Sequence, residues 1–165
     1  GWGLKIFNDD KSEDIGGLIG LSDGGIDDCY TICKVTGTRY VGGIIGYFIG
    51  DYPMSYCYHA GVIVSDDKSD CGPLIGYVTP GVDYSSSYTP CYYDSQNIGD
   101  VNVFRQFNGV KALTTDKMTG PDALKYMTNL KDDYTAVPND DGYPQLSIFV
   151  TDANDPSQFP TIAMA

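Results

Sequence analysis

Five cysteines and a single histidine carry the most versatile chemistry in this 165-residue chain: Cys29, Cys33, Cys57, Cys71, Cys91 and His59. Thiols beside an imidazole could make a nucleophile with its base, a redox couple or a zinc site. Spacing weakens the zinc reading, because no Cys-x-x-Cys pair occurs and a single histidine leaves the usual ligand sets short. An odd number of thiols leaves at least one unpaired within a monomer. A lone histidine without a nucleophile motif beside it seldom does catalysis. No His-Glu-x-x-His string or phosphate-binding glycine loop occurs, and no hydrolase elbow is expected. Catalytic residues, cofactors and metals are all expected to be absent.

Carboxylates come next. Acidic pairs stand at Asp9-Asp10, Asp27-Asp28, Asp66-Asp67, Asp132-Asp133 and Asp140-Asp141. Cleaving a glycoside would need two carboxyls converging about 5 to 10 Å apart across a sugar. These pairs sit mostly in expected turns, where Asp is favoured locally. Asp152, Asn154 and Asp155 offer oxygen ligands within four residues and resemble the Asp-x-Asn-Asp part of cadherin-like linkers. Calcium takes about six to eight oxygens, so a polar linker is the simpler reading. Of 14 tyrosines, Tyr84, Tyr88, Tyr92 and Tyr93 cluster. Such a cluster could hold a sugar or a protein partner, and packing between strands is the favoured alternative.

Composition sets the frame for these side chains. The net charge is −12, which repels nucleic acid and anionic membrane surfaces. No apolar run approaches the roughly 20 residues that cross a bilayer. No membrane insertion is expected, and no positively charged apolar leader opens the chain. A piece of a longer parent chain, with further repeats or domains, is expected. Hydrophobic residues make up 42% and charged residues 19%, which suits a folded core in extended, turn-rich structure.

The elements that position the thiols come from an internal repeat. Ile15-Gly16-Gly17-Leu18-Ile19-Gly20, Val41-Gly42-Gly43-Ile44-Ile45-Gly46 and Cys71-Gly72-Pro73-Leu74-Ile75-Gly76 align. Each is followed by a Cys-Tyr pair: Cys29-Tyr30, Cys57-Tyr58 and Cys91-Tyr92. The glycine motif recurs after 26 and then 30 residues, and the Cys-Tyr motif after 28 and then 34. Fixed order with lengthening spacers is how stacked repeats absorb insertions in loops. Each motif reads as one short strand. Val41, Gly43 and Ile45 would point one way and Gly42, Ile44 and Gly46 the other. Alternation through Cys29–Val35 sends the small Cys29, Thr31, Cys33 and Val35 inward and Lys34 outward. Cys29, Cys57 and Cys91 should therefore stack, about 4.8 Å apart, as a column of buried free thiols. The same register sends His59 inward, as a hydrogen-bonded core residue unless a bulge turns it out.

These motifs resemble the GLUG repeat family of bacterial surface and secreted, adhesin-like proteins. The likeness covers residues 15 to 146. Cys91-Tyr92-Tyr93-Asp94 resembles the family's closing Cys-Tyr-Trp-Asp strand, with Tyr93 where Trp is usual. Thr114-Thr115-Asp116-Lys117-Met118 and Gly142-Tyr143-Pro144-Gln145-Leu146 resemble the segment that follows the last repeat. Pro73 departs from the second glycine and, lacking an N–H, points to a strand edge or start. The resemblance implies an all-β fold: a short right-handed parallel β-helix (solenoid), with a C-terminal cap containing a short helix.

Four regions follow: an N-terminal strand or edge at 1–14, repeats at 15–112, a closing segment at 113–150 and an acidic tail at 151–165. In the closing segment, Thr119 or Gly120 should cap a helix running to Met127, with Leu124, Met127 and Leu130 facing the core. Gln145 to Val150 reads as a strand. The resemblance implies a non-catalytic structural or adhesive module at the bacterial cell surface or secreted from the cell. Its partner would be a host or cell-surface protein or glycan. The rivals are a carbohydrate-binding module using the Tyr-rich third spacer and a β-helix carbohydrate-active enzyme.

Overall fold

The structure is a computed structural model, described over residues 12–51, 54–80, 90–101, 109–130, 132–138, 142–152 and 154–155. It is mostly β, with many short strands. The first repeat forms β1 (Ile15–Gly16), β2 (Ile19–Ser22), β3 (Ile26–Asp27), β4 (Tyr30–Thr31) and β5 (Val35–Gly37). The second forms the same series: β6 (Val41–Gly42), β7 (Ile45–Phe48), β8 (Met54–Ser55), β9 (Tyr58–His59) and β10 (Ile63–Ser65). The third contributes β11 (Cys71–Gly72), β12 (Ile75–Val78) and β13 (Cys91–Asp94), and β14 (Val110–Leu113) follows.

Like strands pair with like. The orders are β1-β6-β11, β2-β7-β12, β3-β8, β5-β10 and β4-β9-β13-β14, and all of these pairings are parallel. Register follows the repeat: Ile15 and Cys71 both pair with Val41, and Ile19 and Ile75 both pair with Ile45. Between these sheets lies a narrow apolar interior holding Val41, Ile44, Phe48, Leu74 and Ile75, each almost without solvent exposure.

The glycine motif is not one strand, contrary to the alternation expected above. It is a corner. β6 ends at Gly42, the chain bends over Gly43–Ile44, and β7 starts in a different sheet. Ile44 and Ile45 are consecutive yet both fully buried, which strict alternation forbids. Their two N–H groups converge on one acceptor, the Leu74 carbonyl, at 2.9 and 3.0 Å. In the layer before, Leu18 and Ile19 donate in the same way to Ile44. Gly43 is needed because a Cβ there would sit 2.2 Å from the Pro73 carbonyl oxygen and 2.4 Å from the His59 ring. Pro73 closes the file Gly17–Gly43–Pro73 just after β11, an edge strand, where a missing N–H breaks no ladder bond.

A second periodic feature precedes the motifs. Asp14 and Tyr40, directly before the glycine motif, have φ of 57° and 55°. Asp28 and Tyr56, directly before the Cys-Tyr motif, have φ of 51° and 54°. Left-handed backbone at a non-glycine residue costs about 1 kcal/mol, so its recurrence marks turns imposed by the stacking. Pro90 holds the matching place in the third repeat, and its ring cannot adopt positive φ.

The C-terminal segment lies against the outer face of the β4-β9-β13-β14 sheet. It carries α1 (Thr115–Met118), α2 (Ala123–Tyr126) and the antiparallel pair β15 (Tyr134–Thr135) and β16 (Gln145–Leu146). Met118, Met127, Leu130, Tyr134 and Tyr143 form a second apolar cluster with Tyr58 and Tyr92 of the sheet, and Leu124 packs at its margin. α2 starts later than expected, after Asp122. The Thr119 hydroxyl instead donates back to the Thr115 carbonyl at 3.0 Å, and Gly120, at φ 77°, donates its N–H to Gly142. β16 likewise stops at Leu146, and residues 147–149 turn into a 3₁₀ helix. Among the described residues no helix is long and apolar enough to cross a membrane.

Candidate functional site

The thiols lie where the repeat puts them. Tyr30, Tyr58 and Tyr92 pair in register, so Cys29, Cys57 and Cys91 form a file one residue earlier. Backbone bonds tie the file: Tyr58 N–H donates to Cys29 O at 3.1 Å and Tyr92 N–H to Cys57 O at 2.9 Å. Cys57 and Cys91 are fully buried, and Cys29 is half-buried. The Cys57 thiol contacts the thiols of both neighbours. Hydrogen bonding to Cys57, then burial, push the Cys29 thiol far up. The contact with Cys29 pulls Cys57 down, but its bond to Cys91 and its burial outweigh that and push it up overall. Thiolates are therefore scarce at neutral pH, the condition of a poor nucleophile. None of the five cysteines is in a disulfide. Cys71 belongs to a different sheet, with its thiol 3.4 Å from Lys68 O, and burial raises the half-buried Cys33.

His59 is buried in the interior between Thr31 and Gly61. The Thr31 hydroxyl donates its one proton to Gly43 O at 2.7 Å, so it accepts from His59 Nδ1 at 2.8 Å. Nε2 lies 3.2 Å from the Gly61 N–H, which its lone pair can accept, and 2.8 Å from the Gly61 carbonyl oxygen, to which only a protonated Nε2 donates. Burial lowers the imidazole to about 4, against weaker upward pulls from its hydrogen bonds and from Asp94. This neutral ring braces the corner at Gly43 and reaches no solvent.

Asp94, which drew attention only through the family likeness, is the centre of the polar structure. Its carboxylate is fully buried and accepts four hydrogen bonds. Oδ1 accepts from Gln96 N–H at 2.9 Å. Oδ2 accepts from Asn97 Nδ2 at 2.9 Å, Thr115 Oγ1 at 2.8 Å and Tyr143 OH at 2.5 Å. Burial and the bond to Asp94 raise the Tyr143 phenol. One carboxylate thus fastens the end of β13, the start of α1 and the Gly-Tyr-Pro turn. Around it the tyrosines form a ladder: Tyr30 stacks on Tyr58 at 5.2 Å, and Tyr58 on Tyr143 at 6.2 Å. Buried phenols find acceptors, Tyr58 on Pro144 O and Tyr134 on Tyr56 O.

The other candidates separate. Tyr92 and Tyr93 are buried, because the closing segment covers one side of their strand and the interior receives the other. Tyr84 and Tyr88, the rest of that cluster, lie outside the described residues, as do Asp9-Asp10 and Asp140-Asp141. Asp28 comes near Asp133, and burial, then the charges of Asp133 and Asp27, raise its carboxyl. Asp152 turns on itself, with Oδ1 accepting the Asn154 N–H at 2.9 Å and its carbonyl accepting the Asp155 N–H at 3.1 Å. Among the described residues no three of His, Cys, Asp and Glu gather as a metal site. Gly20-Leu21-Ser22-Asp23-Gly24 does carry the spacing of a hydrolase elbow, contrary to expectation. Ser22, however, ends β2, no helix follows, and its hydroxyl donates to Gly24 O at 2.7 Å.

Among the described residues an aromatic face lies on the β2-β7-β12 sheet. Leu21, Tyr47 and Tyr77 are in register there. Tyr40 joins them, 5.2 Å from Tyr47 and 4.7 Å from Tyr77, with Arg39 4.0 Å above its ring. Neither a family model, nor a curated protein, nor a solved structure matches the chain.

Proposed function

We propose that this chain is a non-catalytic structural or adhesive module of a bacterial surface or secreted protein, folded as a short right-handed parallel β-helix of GLUG-like repeats. The observation that carries the reading is the like-on-like parallel pairing of the repeats, joined by corners at the glycine motifs. Parallel crossovers in one sheet are right-handed in nearly all proteins, which supports that hand. The chemically versatile groups support a structural role. His59, Asp94, Cys57 and Cys91 are buried and bonded into the fold, whereas the open faces present Leu21, Tyr47, Val62 and Val64. The charge of −12 keeps such a stack soluble and repels nucleic acid. A protein or neutral glycan surface suits the tyrosine face.

Surface display is tested on intact cells that make the parent protein. A protease added outside should remove an epitope within residues 15–112, and an epitope that survives until lysis refutes the reading. In parallel, the purified chain incubated with polysaccharides should release no reducing ends. Release that disappears in a Ser22→Ala or Asp28→Asn variant would establish the enzyme instead.

A further inference from the structure

We propose that Cys29 and Cys57 are an oxidisable pair, closed to a disulfide by a small disulfide reagent that enters at Cys29. The pair stands whether or not the chain works outside the cell.

Geometry selects these two of the five thiols. In-register parallel neighbours stand about 4.8 Å apart, inside the roughly 4.4–6.8 Å window of Cα separations that a disulfide spans. The Tyr58 N–H to Cys29 O bond, 3.1 Å long, holds the two backbones in that register. Their thiols already lean to the same side, toward the turns before them: Cys29 Sγ is 3.1 Å from Asp27 O and Cys57 Sγ 3.0 Å from Ser55 O. Cys91 also neighbours Cys57, but both are fully buried, so no reagent reaches that couple first. Cys29 is the half-buried end of the file. Cys91 lies two strands from Cys29, about 9.6 Å, too far to compete for it. In-register parallel strands hold Cβ atoms farther apart than a relaxed disulfide prefers, so the bridge should be readily reduced.

The step balances with the reagent R–S–S–R as oxidant. Cys29 reacts through the small thiolate fraction that its raised pKa leaves, so closure is slow: that thiolate attacks one reagent sulfur and expels R–S⁻, leaving Cys29 as a mixed disulfide. Cys57 thiolate then attacks the Cys29 sulfur and expels the second R–S⁻. The protein loses two protons and two electrons, and the reagent ends as two R–SH.

The test uses the full chain with oxidised glutathione at pH 8, acid quench, alkylation of the remaining thiols and peptide mapping. Trypsin leaves Cys29 and Cys33 on one peptide ending at Lys34, so mapping is done on Cys33→Ser. The expected product joins the peptides of Cys29 and Cys57 and carries no glutathione. Its yield should be unchanged in Cys91→Ser. In Cys57→Ser, Cys29 should instead keep a stable glutathione. A bridge to the peptide that carries Cys71 and Cys91, a lasting adduct on Cys29 while Cys57 stays reduced, or no reaction while urea-unfolded chain reacts would each overturn the pairing.

Discussion

Tyr143→Phe removes a single oxygen from the polar junction at Asp94. That hydroxyl donates to Asp94 Oδ2 at 2.5 Å, with both residues fully buried. A hydrogen bond to a charged acceptor is worth about 1.5–3 kcal/mol. Asp94 keeps three other donors, and Asn97 Nδ2, which also donates to the Tyr143 hydroxyl at 3.3 Å, keeps its bond to Asp94, so a destabilisation of about 2 kcal/mol is expected. In a chain of this size each kcal/mol moves the midpoint by about 2–4 °C, so the thermal transition should fall by about 4–8 °C. Asp94→Asn should cost more, about 3–5 kcal/mol, because its amide N–H would face donors already in place. With Asp94 already replaced, the phenol has little left to lose. The double variant should therefore fall short of additivity by about 1–2 kcal/mol. Urea titration of all four chains gives the cycle. Hydrogen exchange should show residues 115–146 opening first, because Asp94 ties that segment to the sheet. A Tyr143→Phe loss under about 0.5 kcal/mol, or strict additivity, would refute the junction.

Gly43→Ala forces a Cβ to within 2.2 Å of the Pro73 carbonyl and should cost about 3 kcal/mol in urea unfolding, whereas Gly24→Ala, with nothing within 4 Å, should cost little. His59, the only histidine, should show one imidazole resonance that does not titrate between pH 5 and 8. Its folded value of about 4 lies below 6.5, so between those values the unfolded chain binds a proton that the fold refuses. This contribution, roughly 3 kcal/mol, is complete above pH 6.5 and is lost as pH falls to 4. A resonance midpoint between pH 6 and 7 would contradict the buried neutral ring. Asp28 carries the opposite sign. Its raised carboxyl makes the charged form unfavourable, so Asp28→Asn should stabilise at pH 7 by a few tenths to about 1 kcal/mol. The electrostatic part of that gain should vanish once acid has neutralised Asp28 in the parent chain. An unchanged urea midpoint at pH 7 would show that neither the left-handed backbone nor Asp133 burdens it.

The stacking was legible because it is written several times over. A motif that returns with the same neighbours needs no knowledge of the distant chain, and Cys29, Cys57 and Cys91 fall into line by counting. Pro73 was legible as an edge for a similar reason, since a missing N–H is tolerated only where no strand follows. The corners were not. Period-two alternation assumes that a strand stays in one sheet, and the Gly-Gly pair is where this chain leaves one sheet for another. Two adjacent buried isoleucines were the available signal, because Ile44-Ile45 cannot both face inward along one straight strand.

Asp94 and the tyrosine ladder show a different limit. Alternation correctly turns Tyr30, Tyr58 and Tyr92 away from the interior, which by itself would leave three phenols in water. Yet Tyr58 and Tyr92 are fully buried, because a segment of later sequence lies over them. Nothing local to β9 or β13 announces that cover. It is visible only as a surplus elsewhere: Met118, Met127, Leu130, Tyr134 and Tyr143 are more apolar surface than two single-turn helices can hide alone. A buried Asp94 then follows from Tyr143. Once Tyr143 is driven under the sheet, its hydroxyl needs an acceptor, and a carboxylate can serve it together with the Gln96 N–H, Asn97 Nδ2 and Thr115 Oγ1. The junction is the polar consequence of an apolar closure, and removing the closure should expose the ladder before it disturbs the stacked repeats.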